Sequence, residues 1–151
     1  MKKYEVSNYY YLNSKKQINK NEINSGATMF DGQWFTNFNE SNVINIEKNN
    51  KISIYVPSTI DIDKTNENIK EVIRDVKREI KENTEEYYTQ GAWRTNDNKI
   101  VYENICILTI NTNENNFEKK INEFIKIANN LKKELNQEAV SIGVNDGLLI
   151  I

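Results

Sequence analysis

The chain has 151 residues, which suits one domain with at most an added N-terminal element, and its 38% hydrophobic residues suffice for a packed core. The net charge of -2 and a pI near 5.4 speak against a general nucleic-acid binder, whose surface carries a basic excess. The single cysteine, Cys106, excludes an intramolecular disulfide and fits a reducing compartment, and the absence of histidine removes the commonest general base and metal ligand.

The chain opens on Met1-Lys2-Lys3-Tyr4, a charged start with no apolar run behind it. Nothing approaches the roughly 18 apolar residues that a span requires, so neither a signal peptide nor a membrane segment is read and a cytoplasmic location is expected. Heavy use of Asn, Lys and Ile, with Pro57 as the one proline, points to an AT-rich genome such as that of a low-GC bacterium or its phages. Residues 1–50 read as an aromatic-rich extension or small β-unit. Tyr9 to Leu12 and Met29 to Phe38 look extended, Lys15 to Asn24 fits a short polar helix, and Val43 to Ile46 fits a strand. The aromatic content predicts that this segment packs instead of floating.

From residue 51 the periods become clear. Lys51 to Val56 alternates and stops at Pro57, as a strand does. Residues 64–83 predict a helix, with Ile69, Val72, Ile73, Val76 and Ile80 on one face and a charged opposite face. Tyr87 to Thr95 and Lys99 to Ile110 predict a hairpin about an Asn-Asp-Asn turn. A second helix is expected over 114–135, with Phe117, Ile121, Phe124, Ile125, Ala128, Leu131 and Leu135 as its stripe and Asn113 as its N-cap. Glu138 to Val144 alternates again, and Asn145-Asp146-Gly147 turns into a short final strand. The order strand, helix, strand, strand, helix, strand is that of a ferredoxin-like split βαβ sandwich, an α+β fold with an antiparallel sheet and two helices on one face. Its first and third strands are central, which suits the apolar run Ile105-Cys106-Ile107-Leu108.

The chemistry-bearing stretch is residues 87–103, YYTQGAWRTNDNKIVYE. Trp93 and Arg94 must point to opposite faces of their strand. A two-residue turn would set Arg94 opposite Val101 and diagonal to Glu103, whereas a three-residue turn would put Trp93 and Glu103 on one face. The structural reading is an ion pair beside a core tryptophan. The functional reading is an anion-recognising arginine beside an aromatic platform, suited to a small anionic ligand such as a carboxylate or phosphate, or to a nucleobase. Glu138, at the head of the strand that carries Val140, either edges the core or joins Glu103 in a two-carboxylate site. Catalytic signatures are otherwise absent: there is no Gly-rich phosphate loop among the five glycines, and Cys106 sits in an apolar strand where a thiol is inert packing. Asp61-Ile62-Asp63 reads as a loop into a helix, and no metal or cofactor is implied.

Residues 51–151 resemble a family of uncharacterised small proteins from bacteria, phages and plasmids. The shared pattern is Gly91-Ala92-Trp93-Arg94, then Glu103, then Gln137-Glu138-Ala139-Val140. The resemblance implies a ferredoxin-like domain and a mobile-element setting but brings no settled activity. Trp93, Arg94, Glu103, Gln137 and Glu138 are therefore the candidate ligand- or partner-binding residues. The reading that follows is a non-catalytic binding protein of a phage or other mobile element, with a host defence component such as a CRISPR effector as its target. The alternative is a small-ligand or nucleotide-sequestering protein, and a carboxylate-metal hydrolase comes third. The fold leaves one apolar sheet face open, to be covered either by the aromatic-rich residues 1–50 or by a second copy of the chain in a homodimer.

Overall fold

A computed structural model describes residues 2–6, 9–12, 28–30, 33–35, 43–60, 64–65, 67–94 and 97–151. Five short strands come first: β1 (Lys2–Glu5), β2 (Tyr10–Leu12), β3 (Thr28–Phe30), β4 (Gln33–Phe35) and β5 (Val43–Ile46). Then follow β6 (Asn49–Pro57), the small pair β7 (Thr59–Ile60) and β8 (Lys64–Thr65), α1 (Ile69–Ile80), β9 (Glu85–Arg94) and β10 (Ile100–Asn113). The chain ends with α2 (Phe117–Glu134), β11 (Ser141–Val144) and β12 (Gly147–Ile150).

The main sheet is antiparallel, in the order β2-β12-β11-β6-β10-β9-β3-β4. Its centre, β11-β6-β10-β9, is the ferredoxin-like arrangement, with the first and third strands of the unit inside. Alternation decides which face each strand buries. Ile52, Ile54 and Val56 of β6 pair with Ile110, Leu108 and Cys106 of β10, and this set faces the helices with almost no exposure. From α1 come Val72, Ile73, Val76 and Ile80, and from α2 Phe117, Ile121, Phe124, Ile127, Ala128 and Leu131. Ile127 takes the core place expected of Ile125, which is only partly buried. On the opposite face Ile105 and Leu148 form a smaller cluster with Tyr55, Ile107 and Ile150, beside a Ser53–Thr109 hydroxyl pair at 2.7 Å.

Both helices start with their apolar stripes, at Ile69 and Phe117, and so later than the expected ranges 64–83 and 114–135. Thr59–Ile60 pairs with Lys64–Thr65, so residues 64–65 are spent in a hairpin and α1 begins at Ile69. At α2 the Asn113 side chain accepts from the Asn116 amide at 3.0 Å, and Asn116 becomes the cap residue. Left-handed backbone at Lys81 (φ 59°) and Asn136 (φ 47°) follows the two helices.

The described N-terminal strands extend both sheet edges and pack beside α2. β2 adds to β12, and β3 adds to β9. β1 pairs with β5, whose Ile44 and Ile46 enter the main core together with Val6. Tyr4 sets its ring edge-on to Phe117 at 6.2 Å and donates its hydroxyl proton to Asn122 at 2.6 Å. Buried Asn50 locks the entry to β6. Its Oδ1 accepts from the Glu47 amide at 2.9 Å and from Asn145 at 3.1 Å, and its Nδ2 donates to the Glu47 carbonyl at 2.8 Å. The helix expected over residues 15–24 lies outside the described residues.

Candidate ligand-binding site

The sheet is uneven at one end, and that unevenness makes a cavity. Pairing of β6 with β10 stops at Pro57 opposite Ile105, because β6 ends on a proline. The β9–β10 ladder runs on for five more residues of β10, to Arg94 opposite Ile100. Beyond Ile105, β10 therefore has no β6 neighbour on that side. The connection leaving α2 folds into this gap.

Asn136 ends the helix in left-handed backbone, the Gln137 amide donates to the Lys132 carbonyl at 2.9 Å, and the Gln137 side chain donates to Leu135 at 2.9 Å. Val140 then exchanges backbone hydrogen bonds with Ile151 at 3.0 and 3.1 Å, anchoring the far end of the connection.

The cavity, open on part of its surface, has a volume of about 140 Å³. Its apolar walls are Tyr55, Pro57, Ile105, Val140 and Ile150, and its polar groups include Glu103, Gln137 and Glu138. The glycine at position 143 eases the approach of Tyr55. A Cβ there would stand 3.3 Å from both the ring and the hydroxyl of Tyr55, so the bare backbone lets the ring lie across β11.

Three of the five residues singled out in the sequence thus meet: Glu103 half-buried on β10, Gln137 half-buried after α2, and Glu138 exposed beside it. Glu138 is not the head of a strand, as its alternation with Val140 suggests. β11 begins at Ser141, and residues 137–139 belong to the connection that closes the cavity. Trp93 and Arg94 occupy β9 opposite Val101 and Ile100, the register of the longer turn. That register puts position 93 on the face of Glu103 and position 94 on the other. The side chains of Trp93 and Arg94 lie outside the described residues. Tyr55 and Ile105 carry no sequence signal as site residues, since only the tertiary gap makes them walls.

Cys106 faces the helices, is buried, and has its thiol pushed up to about 11 by burial first and by Glu86 second, which suits inert packing. Its neighbour across the ladder, Tyr88, is exposed and held near pKa 12, chiefly by its hydrogen bond to Glu86. Among the described residues no group of three or more Cys, Asp or Glu side chains comes together as a metal site, so the carboxylate-metal reading has no centre among them. No helix among them is long and apolar enough to cross a membrane.

No family model matches the chain. No curated protein matches it either. Among solved structures it is similar to a phage SAM lyase in complex with S-methyl-5'-thioadenosine, at 16% sequence identity and a TM-score of 0.51, over 70% of this chain and 88% of that one. The likeness is one of fold: this chain is built on the same α+β architecture as that lyase.

Proposed function

We propose that this chain is a small-ligand binding protein of phage or mobile-element type, and that its ligand enters the cavity beside Glu103. One observation carries the reading. The sheet gap brings Glu103 together with the neighbouring pair Gln137 and Glu138, distant from it in sequence, around one hollow. Ligand sites are commonly apolar hollows with a few convergent polar groups, and this one has that make-up.

The charge of the cavity favours a different ligand from the anion suggested by Arg94. Two carboxylates and an amide offer acceptors, so they suit a cationic or amine-bearing group. Adenosyl sulfonium compounds meet that requirement, and the lyase that shares the fold binds a nucleoside thioether of the same chemical series. The AT-rich composition and the resemblance of residues 51–151 to mobile-element proteins agree with a phage setting. A host defence protein as target has no structural observation in its favour.

Titration calorimetry with SAM and with S-methyl-5'-thioadenosine tests the reading. Saturable binding is expected, tighter for the sulfonium. Glu103→Gln keeps the shape but removes the charge, and should weaken SAM by about tenfold or more, since a hydrogen bond to a charged group contributes roughly 1.5–3 kcal/mol. Absence of binding for both compounds, or unchanged SAM affinity in Glu103→Gln, would overturn it.

A further inference from the structure

The 140 Å³ cavity is too small for a whole nucleoside-sized ligand. Its volume is close to the ~150 Å³ that encloses one benzene ring. Sites for complete small molecules span about 300–1,000 Å³. A larger molecule anchored there extends beyond it, and a second space among the described residues shares part of its lining.

A cleft of about 750 Å³ lies on the helix side of the sheet, between the first turn of α1 and the β9–β10 ribbon. Glu103 lines both the cleft and the cavity, and the consecutive residues Pro57 and Ser58 line one each. By alternation the cavity lies on the face of Ile105 and Tyr55 and the cleft on the helix-side face, and their linings meet at Glu103 and at Pro57–Ser58, on the edge of β10 that β6 leaves uncovered.

The cleft has a distinct surface chemistry. Gln90 and Asn104 stand directly opposite each other across the ladder, both exposed on the helix-side face. Tyr88, opposite Cys106, and Tyr102, opposite Ala92, bracket this amide pair on the same face. These tyrosines are 67% and 44% exposed, unusual for large rings that have a core nearby to join. Tyr88 is held in place by donating its hydroxyl proton to Glu86 at 2.9 Å, and Glu86 in turn pairs with Lys77. Aromatic faces attract planar rings, and Asn or Gln amides present a donor and an acceptor that match the edge of an adenine-type base.

We propose that the cavity and the cleft are two halves of one ligand site. The cavity takes a compact cationic or amine-bearing end group beside Glu103. The cleft takes a planar, hydrogen-bonding ring of the same ligand, stacked at Tyr88 and Tyr102 and read by Gln90 and Asn104. This inference rests on the ligand-binding reading above and extends it to the shape and class of the molecule.

The test uses the full chain and three probes: trimethylsulfonium for the end group alone, adenosine for the ring alone, and SAM for both. Tyr102 is exposed, so Tyr102→Ala leaves the core untouched. Tyr102→Ala should weaken SAM and adenosine by about tenfold, the scale of one base–aromatic stack. It should leave trimethylsulfonium unchanged. Glu103→Gln should do the reverse, weakening SAM and trimethylsulfonium while sparing adenosine. Asn104→Ala gives a second variant at the ring half, with losses that follow those of Tyr102→Ala. SAM affinity unaffected by both Tyr102→Ala and Asn104→Ala would overturn the bipartite site while the cavity reading stands. Equal weakening of all three probes by Tyr102→Ala would also overturn it, since the two halves would not be separable. No SAM binding to the unaltered chain would overturn both readings.

Discussion

Leu108→Ala is expected to lower stability by about 2–5 kcal/mol. Leu108 has no exposed surface, lies in the central strand β10, and pairs with Ile54 on one side and Glu86 on the other. Its side chain points into the layer filled by the two helices, so truncation removes buried apolar surface and leaves a hollow between rigid elements. The sheet cannot collapse to fill that hollow without shifting the register that also places Ile52, Ile54 and Val56. Chemical denaturation of the variant and the parent chain measures the difference. A loss below about 1 kcal/mol would fall outside the range for a buried leucine and would contradict the central position of Leu108.

Deletion of residues 1–48 is expected to produce aggregation or a new oligomer. Val6, Tyr11, Ile44 and Ile46 are buried in the main core, and burial of four such side chains contributes roughly 6–12 kcal/mol. That is comparable to the whole net stability of a domain, about 5–15 kcal/mol. The deletion also strips Tyr4 from Phe117 and uncovers the edges of β12 and β9, where β2 and β3 now pair. Unpaired edges recruit other chains. Light scattering and thermal melting of the truncated chain check this outcome. A truncated chain that stays monomeric and equally stable would show that the N-terminal strands are dispensable to the fold.

Much of this architecture is legible in the sequence where one period dominates. Ile52, Ile54 and Val56 alternate strictly, and Ile69, Val72, Ile73, Val76 and Ile80 keep a helical stripe, so strand and helix follow from spacing alone. The element ends are less legible because they depend on partners outside the local window. Lys64–Thr65 is drawn out of the helix by pairing with Thr59–Ile60, and Asn113 captures the Asn116 amide one turn early.

The candidate site divides in the same way. Glu103 and Glu138 stand out as carboxylates beside apolar strands, Gln137 is singled out by the resemblance, and all three line one cavity. The length of the turn after Arg94 decides which of Trp93 and Arg94 shares a face with Glu103, and an Asn-Asp-Asn sequence accommodates either length. The ring of Tyr55 lies close over Gly143, a relation between strands that no local pattern carries.

Amide chemical-shift mapping during titration with SAM tests the ligand site most directly. Shifts concentrated at Tyr55, Glu103, Ile105 and residues 137–141, and extending to Gln90, Tyr102 and Asn104, are expected. Saturation without shifts in this set, or shifts centred instead on β1 and β5, would contradict the assignment of the cavity as the binding site.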